Sequence, residues 1–340
     1  MARVLRTVGL LVALVLILVT GFWFWASSGT LSKNEMVQTK TYQGEPATTA
    51  DTLSVMTYNI GYLSGMTNNK PVPSDPALYA ANLEKAIDLI REANPDLIGF
   101  QEIDFGAERS IGVQQLDTLA QRLGYPTGAQ AVNWDLRYLP FPDGAPSVHY
   151  GQIVSGQAIL SRFPVADHRR RVLAETSRPY LSRVFYLDRL AQVVDVVLGP
   201  DTLSVVNVHL EAFEQPVRLT QAEEIRNLLV ELVATGRPVL LIGDFNAVPN
   251  ATDDATLRRV TQDLPFNRAI PSSSDASALA TYPGDAPTRL IDHIFYMPDA
   301  MGALSTTISC GANPDPPSDH CAVTTRFVMT SDSTQAAEAE

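Results

Sequence analysis

Residues 239–250 read VLLIGDFNAVPN. Four apolar residues, Val239 to Ile242, run straight into Gly243, and Asp244, Asn246 and Pro249 follow. An unbroken apolar run closed by Gly and Pro is the pattern of a strand buried on both faces. Its end carries a carboxylate and a carboxamide two residues apart. Asp offers a charged oxygen to a metal or a water, and Asn offers a donor to a phosphate oxygen.

Outward from this stretch, other apolar runs read as strands: 53–58, 97–100, 157–160, 184–187, 192–198, 203–210, 290–296 and 321–328. Apolar residues at helical spacing predict helices over 77–93, 113–123 and 219–232, with a short helical piece near 255–261. Asn94-Pro95 ends the first of these, because the residue before proline is disfavoured in a helix. Residues 124–156 read as irregular and aromatic, and 249–287 as a long loop. Antiparallel stretches stand beside strand–helix–strand crossovers without strict alternation. That argues for an α/β sandwich, two sheets packed face to face with helices outside, rather than one doubly wound sheet.

The chain has 340 residues, 45% of them hydrophobic and 18% charged, which suffices for a large core. Its formal net charge of −12 argues against a broad basic patch for nucleic acid. It leaves room for a nuclease whose metal ion supplies positive charge locally, so nucleic acid is a possible partner that charge does not favour. Two cysteines, Cys310 and Cys321, make neither a disulfide scaffold nor a four-cysteine zinc site. The oligomeric state is not readable.

Residues 8–25, VGLLVALVLILVTGFWFW, carry no charge and are long enough to cross a bilayer. Arg3 and Arg6 precede them and Trp23 and Trp25 close them, the arrangement of a cytoplasmic flank and an interfacial belt. Residues 1–28 are expected to be a retained signal anchor, with a cleaved signal as the alternative. Either exports the remainder, as a single-pass membrane protein with an extracytoplasmic domain or as a secreted one. Residues 29–51 read as a flexible linker, 52–329 as the catalytic domain and 330–340 as a disordered acidic tail.

Asn59, Glu102, His209, Asp244, Asn246, Asp292, Asp319 and His320 each stand at or near the end of an apolar run, or just before one. Strand ends of α/β folds open into a common crevice. Such a set of carboxylates, carboxamides and imidazoles suits a hard cation such as Mg2+. Glu102, a lone carboxylate after a core strand, is the foremost direct ligand. Two distant histidines without a third ligand at zinc spacing disfavour a zinc hydrolase. Singly, each residue has a plain alternative as a turn residue, a cap or a core side chain.

Together the motifs TYNIG, PDLIGFQE, VVNVHL, IGDFNAVP, RLIDHIF and SDHCAV resemble the endonuclease/exonuclease/phosphatase superfamily, the fold of pancreatic deoxyribonuclease, apurinic endonucleases and neutral sphingomyelinases. The resemblance spans about residues 52–328. It implies a four-layer α/β sandwich and divalent-metal-dependent phosphoester hydrolysis, with Mg2+ or Mn2+ as cofactor. By it, Glu102 holds the cation, with Asn59 and Asp319 at or near its shell. Asp244 orients or deprotonates the attacking water, and Asn246 fixes phosphate, water or shell. Asp292 backs His320, which stabilises charge on phosphorus or acts as general acid or base. His209 contacts phosphate. Gly61 departs from the apurinic endonucleases, which carry Asp there, so one metal ligand is missing.

The aromatic insertion 133–151, with Trp134, Arg137 and Tyr138, is a candidate substrate lip for bases, sugar or lipid head groups, against the alternative of a satellite apolar cluster. Arg109 and Arg169–Arg171 are expected to be solvated rather than phosphate contacts, and Cys310 and Cys321 to be free buried thiols rather than a bridge. The reading is a membrane-anchored phosphodiesterase acting on a lipid head group or small phosphodiester. An extracytoplasmic nuclease is the alternative in the same class, and a non-catalytic binding protein the alternative in another.

Overall fold

Burial on alternate sides of each strand stacks two sheets face to face, with helices on both outer surfaces. The computed structural model describes residues 1–249, 251–270, 279–311 and 314–330. Helix α1 (Ala2–Ala26) leads to strand β1 (Val37–Thr41) and then to β2 (Thr52–Asn59). Helix α2 (Pro76–Ala93), strand β3 (Leu97–Asp104) and helix α3 (Gln115–Leu123) follow. Strands β4 (Thr127–Leu139), β5 (Gly151–Ser161) and β6 (Val165–Val172) precede the single-turn α4 (Tyr180–Arg183). Then come β7 (Leu190–Leu198), β8 (Asp201–His209), α5 (Gln215–Val233) and β9 (Val239–Asp244). The chain ends through α6 (Thr256–Val260), β10 (Asn267–Arg268), β11 (Asp292–Tyr296), β12 (Met301–Ser309) and β13 (Ala322–Met329).

The first sheet runs β1-β4-β5-β3-β2-β13-β12 and the second β10-β11-β9-β8-β7-β6. Both are mixed: β2–β3 and β8–β9 pair parallel, the rest antiparallel. Leu53, Val55 and Ile159 of the first sheet meet Val205, Leu240 and Ile242 of the second in the central core. Met56, Tyr58 and Phe100 turn outward onto Ile87 and Ile90 of α2 and Leu116 and Leu119 of α3. Val206, Val208 and Leu241 turn outward onto Ile225 and Leu229 of α5 and Leu257 of α6. This is the four-layer α/β sandwich.

Local sequence sets the boundaries. Asp75 caps α2 by accepting from Ala77 N at 2.9 Å, Pro76 opens it, and Asn94 closes it in a left-handed conformation before Pro95. All six residues of β9 are buried, because the strand lies inside its sheet between β8 and β11 with both faces covered. Gly243 has φ +144°, and a Cβ there would stand 2.0 Å from the Val208 carbonyl oxygen. No other residue fits so close to a neighbouring backbone.

Several expectations need correction. Residues 124–156, expected irregular, hold all of β4 and the start of β5, the two longest strands. Register shifts at Val132/Trp134 and Leu136/Leu139 break the alternation that would have revealed them. Residues 184–187, expected as a strand, follow the turn that Pro179 starts, and Phe185 and Leu187 pack on an aromatic cluster instead of joining a sheet. Edge strands β6 and β12 escape the sequence reading, since their exposed faces carry polar residues. The linker 29–51 is not free throughout: β1 pairs with β4, Val37 opposite Ala131, and Asp135 accepts from Thr30 N and Leu31 N. Cys310 and Cys321, expected as thiols, form a disulfide. Arg109, expected in solvent, is buried. It bonds Asp104 at 2.7 and 3.0 Å and lies 3.3 Å over the Tyr62 ring, so its charge is paired and its plane stacked. The tail 331–340 and residues 271–278 of the long loop lie outside the described residues.

Gly243→Ala tests the close approach of β8 and β9. The atoms a Cβ would meet are all Val208 backbone, so urea denaturation is expected to show a loss of about 2 kcal/mol or more. An unchanged midpoint would mean that the two strands are not held this tightly.

Candidate active site

Strand register assembles the site. His209 ends β8 and Asp244 ends β9, and parallel pairing makes them Cα partners. Asp292 opens β11 as the antiparallel partner of Asp244. Partners at one level of a sheet share a face, so the three form a row across the second sheet. In the first sheet, Asn59 ends β2 opposite Gln101 of β3. Glu102 follows where the β3–β5 register slips between Phe100 and Ile103, and its φ is +51°. Such a bulge re-aims a side chain out of the ladder. The loop before β13 brings Asp319 and His320. Ser318 Oγ donates to Asn59 O at 2.7 Å and accepts from His320 N at 3.1 Å, which ties that loop to the end of β2. The disulfide holds it at the next residue, Cys321.

His320 lies between two carboxylates. Its Nδ1 is 3.0 Å from Asp292 Oδ2, and its Nε2 is 3.7 Å from Asp244 Oδ2. Burial alone would push the imidazole down. The charges of Asp292 and Asp244 and the hydrogen bond to Asp292 outweigh it, and hold the ring up to about 10. At neutral pH it is an imidazolium that donates from Nδ1 to Asp292, with Nε2 turned toward Asp244 at ion-pair distance. Burial pushes Asp244 up to about 6 although His320 pulls the other way. Asn59 Nδ2 donates to Asp244 Oδ2 at 3.0 Å, and Asn246 N donates to Asp244 Oδ1 at 2.9 Å. The Asn246 side chain itself donates to Leu210 O, so Asn246 fixes the carboxylate through its backbone.

His209 behaves oppositely. Burial, followed by the charges of Arg189 and His320, pushes it well below the usual histidine range. Its Nε2 stands 3.4 Å from Asp244 Oδ2 and 3.8 Å from Glu102 Oε1, contacts of a neutral ring rather than an ion pair.

Glu102 and Asp319 face one another across the Asn68 amide. Asn68 Nδ2 donates to Glu102 Oε2 at 2.9 Å and is 3.3 Å from both Asp319 oxygens. Burial pushes Asp319 up to about 6; His320 opposes this and Glu102 adds to it. Asn68 Oδ1 is buried without a hydrogen-bond partner. An amide nitrogen holding two carboxylates together marks a place that wants positive charge. Two carboxylates drawn together suit a hard cation, and the Asn68 amide turned over would add its oxygen to them. A Cβ on Gly61 would point at Asp319 Oδ1, 2.7 Å away, with Asn68 Nδ2 at 3.6 Å. Asn68 thus reaches the space that a side chain at position 61 would otherwise enter.

Asp244, Asp292 and His320 also bring ligand atoms within 4.8 Å of one another, close enough for one cation. A ring protonated on both nitrogens has no lone pair to give, so the hydrogen-bonded triad is the better description of that group.

Of the residues singled out from sequence, Asn59, Glu102, His209, Asp244, Asn246, Asp292, Asp319 and His320 meet in this one crevice. Asn59, expected at the cation, instead serves Asp244; its Oδ1 accepts from Gly61 N at 3.1 Å, which fixes the amide's orientation. Trp134, Arg137 and Tyr138 do not line an open lip. Trp134 is buried in a cluster with Tyr62 and Tyr150 and donates to Phe185 O at 3.0 Å. Arg137 bonds Ser28, and Tyr138 packs on Phe22 and Trp25 of α1. Sequence reading passes over Asn68, Ser318 and Thr281, whose Oγ1 accepts from Ile291 N beside Asp292. Their loops carry no periodicity, and only the Gly/Asn-rich composition of 61–76 hints at Asn68.

Solved structures share this architecture. An endonuclease/exonuclease/phosphatase from Bacteroides vulgatus matches with a TM-score of 0.58 and 18% identity, over 82% of this chain and 99% of that one. The human Nocturnin catalytic domain with bound sulfate matches with a TM-score of 0.56 and 17% identity, over 88% and 100%. A mannosyl-6-phosphatase from Bacteroides thetaiotaomicron matches with a TM-score of 0.54 and 16% identity, over 81% and 99%. At these identities the likeness is one of fold. No match was found among curated protein sequences. The family model described as Endonuclease/Exonuclease/phosphatase family matches residues 56–320, well over half of the length, and the chain belongs to that family.

Proposed function

We propose that this protein is a membrane-anchored, divalent-metal-dependent phosphodiesterase acting outside the cytoplasm on a lipid head group or small phosphodiester. The observation that carries the reading is the row His209–Asp244–Asp292, with His320 charged between its two carboxylates and facing the Glu102–Asp319 pair. Glu102, Asp319 and Asn68 would hold Mg2+ or Mn2+. The chemistry such an ion supplies is neutralisation of a phosphate oxygen and of the leaving oxygen.

The remaining steps belong to the chain's own groups. Asp244, ionised and aimed by Asn59 and the Asn246 N–H, accepts a proton from water as its oxygen attacks phosphorus. His320, kept cationic by Asp292, stabilises the negative charge that builds on the phosphoryl oxygens. As the ester P–O bond breaks, the leaving oxygen takes a proton from the same ring. His209, neutral, donates to a phosphate oxygen. The separated values of His320 and Asp244, about 10 and about 6, keep one an acid and the other a base between those limits.

The single-pass α1 favours a lipid substrate by keeping the site near a bilayer. The net charge of −12 gives long nucleic acids no general attraction. Turnover of sphingomyelin, phosphatidyl lipids, bis-p-nitrophenyl phosphate, and single- and double-stranded DNA, each with Mg2+ and with chelator, tests the class. Metal-dependent hydrolysis of DNA alone would make the protein a nuclease, and no turnover of any substrate would favour a binding role.

Glu102→Ala, Asp244→Asn and His320→Ala are each expected to lower kcat by about 10²-fold or more, with thermal unfolding still cooperative. Wild-type-like rates in all three would end the assignment. Asn68→Ala is expected to weaken Mn2+ binding about tenfold or more, read by paramagnetic resonance titration without substrate, whereas Asn68→Asp retains it. Equal affinities in Asn68→Ala and wild type would remove Asn68 from the shell. Asp292→Asn takes away the leading charge that raises His320, so the ring's pKa must fall from about 10. The alkaline limb of the kcat/KM profile then moves to lower pH, and a limb that stays in place would detach it from His320.

A further inference from the structure

The last turn of α1 does not stand clear of the catalytic domain. Trp23 Nε1 donates to Leu181 O at 3.3 Å, and its ring lies 5.9 Å from Tyr180 and 6.3 Å from Phe185. Phe22 and Trp25 pack on Tyr138 at 5.8 and 6.5 Å. Beyond the helix, Arg137 N donates to Ser28 O and Asp135 accepts from Thr30 and Leu31. The exit of the helix is therefore held by several bonds rather than by a slack tether.

Around that exit the domain leaves apolar side chains in water. Tyr180 is 61% exposed, Leu181 69% and Phe213 77%. Nothing in the core needs them there. The Phe213 loop belongs to the same face, because Glu214 accepts from Ser177 N at 3.1 Å and from the Thr176 and Ser177 hydroxyls. Arg137, in β4 beside Tyr138, and Arg178, just before α4, are exposed too, and the Arg178 guanidinium lies 4.2 Å over the Tyr186 ring. Exposed aromatic and aliphatic tips with arginines between them are what a head-group interface accepts.

We propose that this face rests on the bilayer from which α1 emerges, with Tyr180, Leu181 and Phe213 seated among the lipid head groups. The proposal rests on α1 spanning a membrane, the reading given above. Tryptophans at the end of a spanning helix sit at head-group level, and Trp23 touches Leu181 directly, so Leu181 lies at that depth. A lipid surface is the occupant that the position of α1 selects.

The same contacts orient the crevice. A cavity of about 180 Å³ is lined both by Tyr180 and Arg183 and by Tyr186, Arg189 and Glu211. Glu211 is two residues past His209, the Arg189 charge bears on His209, and the Glu102 charge bears on Arg189. From the other side, Tyr150 of the aromatic cluster accepts from Asn69 N at 3.0 Å, next to Asn68. The catalytic groups thus lie beside the seated face and not on the far side of the domain.

The test uses the full chain in nanodiscs of phosphatidylcholine and phosphatidylglycerol, with nitroxide labels placed singly by Leu14→Cys, Leu181→Cys, Phe213→Cys and Leu304→Cys. Leu14 is in α1, and Leu304 is an exposed position on edge strand β12. Collision with lipid-soluble oxygen and with a water-soluble nickel chelate is compared at each label. The ratio of oxygen to nickel accessibility is expected to rise severalfold at 14, 181 and 213 relative to 304. Labels at 181 and 213 that match 304, with 14 in lipid, overturn the seated face and leave the anchor intact. A label at 14 that reports water overturns the anchor reading and the seated face with it. Because no label reads hydrolysis, failure of the phosphodiesterase reading would not alter the depths measured.

Discussion

Buried negative charge that must be answered locally governs this molecule. Asp244, Asp292, Glu102 and Asp319 come together at the mouth of two apolar sheets, where a lone carboxylate is expensive. Asp292 and Asp244 are answered by the His320 ring, and Glu102 and Asp319 by one amide nitrogen of Asn68. The two answers are unequal. An imidazolium carries a full charge, whereas an amide offers a dipole. Burial raises Asp244 and Asp319 alike to about 6, so the two halves differ in the charge that answers them and not in their carboxyl values. The uncompensated half of the cluster is thus the half in which a divalent cation lowers the energy, and the compensated half is where a proton can be kept. Electrostatics thus favours a cation beside Glu102 and Asp319 and a proton beside Asp292 and Asp244.

Such a cluster survives only if its frame cannot relax away from it. The second sheet supplies this through register: His209, Asp244 and Asp292 are successive cross-strand partners, and a slip of one residue would turn Asp244 to the opposite face. Beneath the row, a buried polar layer locks the two sheets together. Gln101 Nε2 donates to Asn207 Oδ1 at 2.6 Å and to Thr57 Oγ1 at 3.1 Å, and Asn207 Nδ2 donates to Phe100 O at 3.0 Å. The bonds between Asn207 and the first sheet cross the core and need a defined geometry, unlike apolar packing, which tolerates sliding. The bulge at Glu102 is a place where the ladder yields, and it yields toward the crevice.

This division explains what the sequence discloses. Asp244 is legible because VLLIGD is at once a buried strand and its terminus, and the same holds for VNVHL and LIGFQE. Where a polar residue follows a local apolar run, one window carries both element and site. Strand β4 and the first half of β5 are hidden because their bulges break period-two alternation, and β6 because an edge strand can carry HRRR and stay solvated. Arg109 is misjudged because its partners, Asp104, Ser155 and the rings of Tyr62, Trp134 and Tyr150, come from separate segments. Asn68 sits in a loop whose composition says turn and whose neighbours in space are 34 and 251 residues away. Spatial partners of that kind leave no trace in a single sequence. The Cys310–Cys321 bridge escapes for a similar reason: separation along the chain does not fix whether two thiols meet.

An acidic protein that handles phosphoesters faces a problem of encounter rather than of chemistry. A net charge of −12 repels an anionic ligand at long range, but charges beyond about 10 Å are largely screened in physiological salt. Inside that distance the cations His320 and Arg189 are each faced by carboxylates, so a metal ion held at the crevice would supply the attraction the residues lack. Affinity therefore need not be gathered from the whole surface if the ligand is already near. Tethering supplies that nearness without any favourable charge, by turning a bimolecular search into a local one. A soluble enzyme with this surface would have to collect its substrate against its own field. Were α1 to place it at a bilayer, the same surface would cost little.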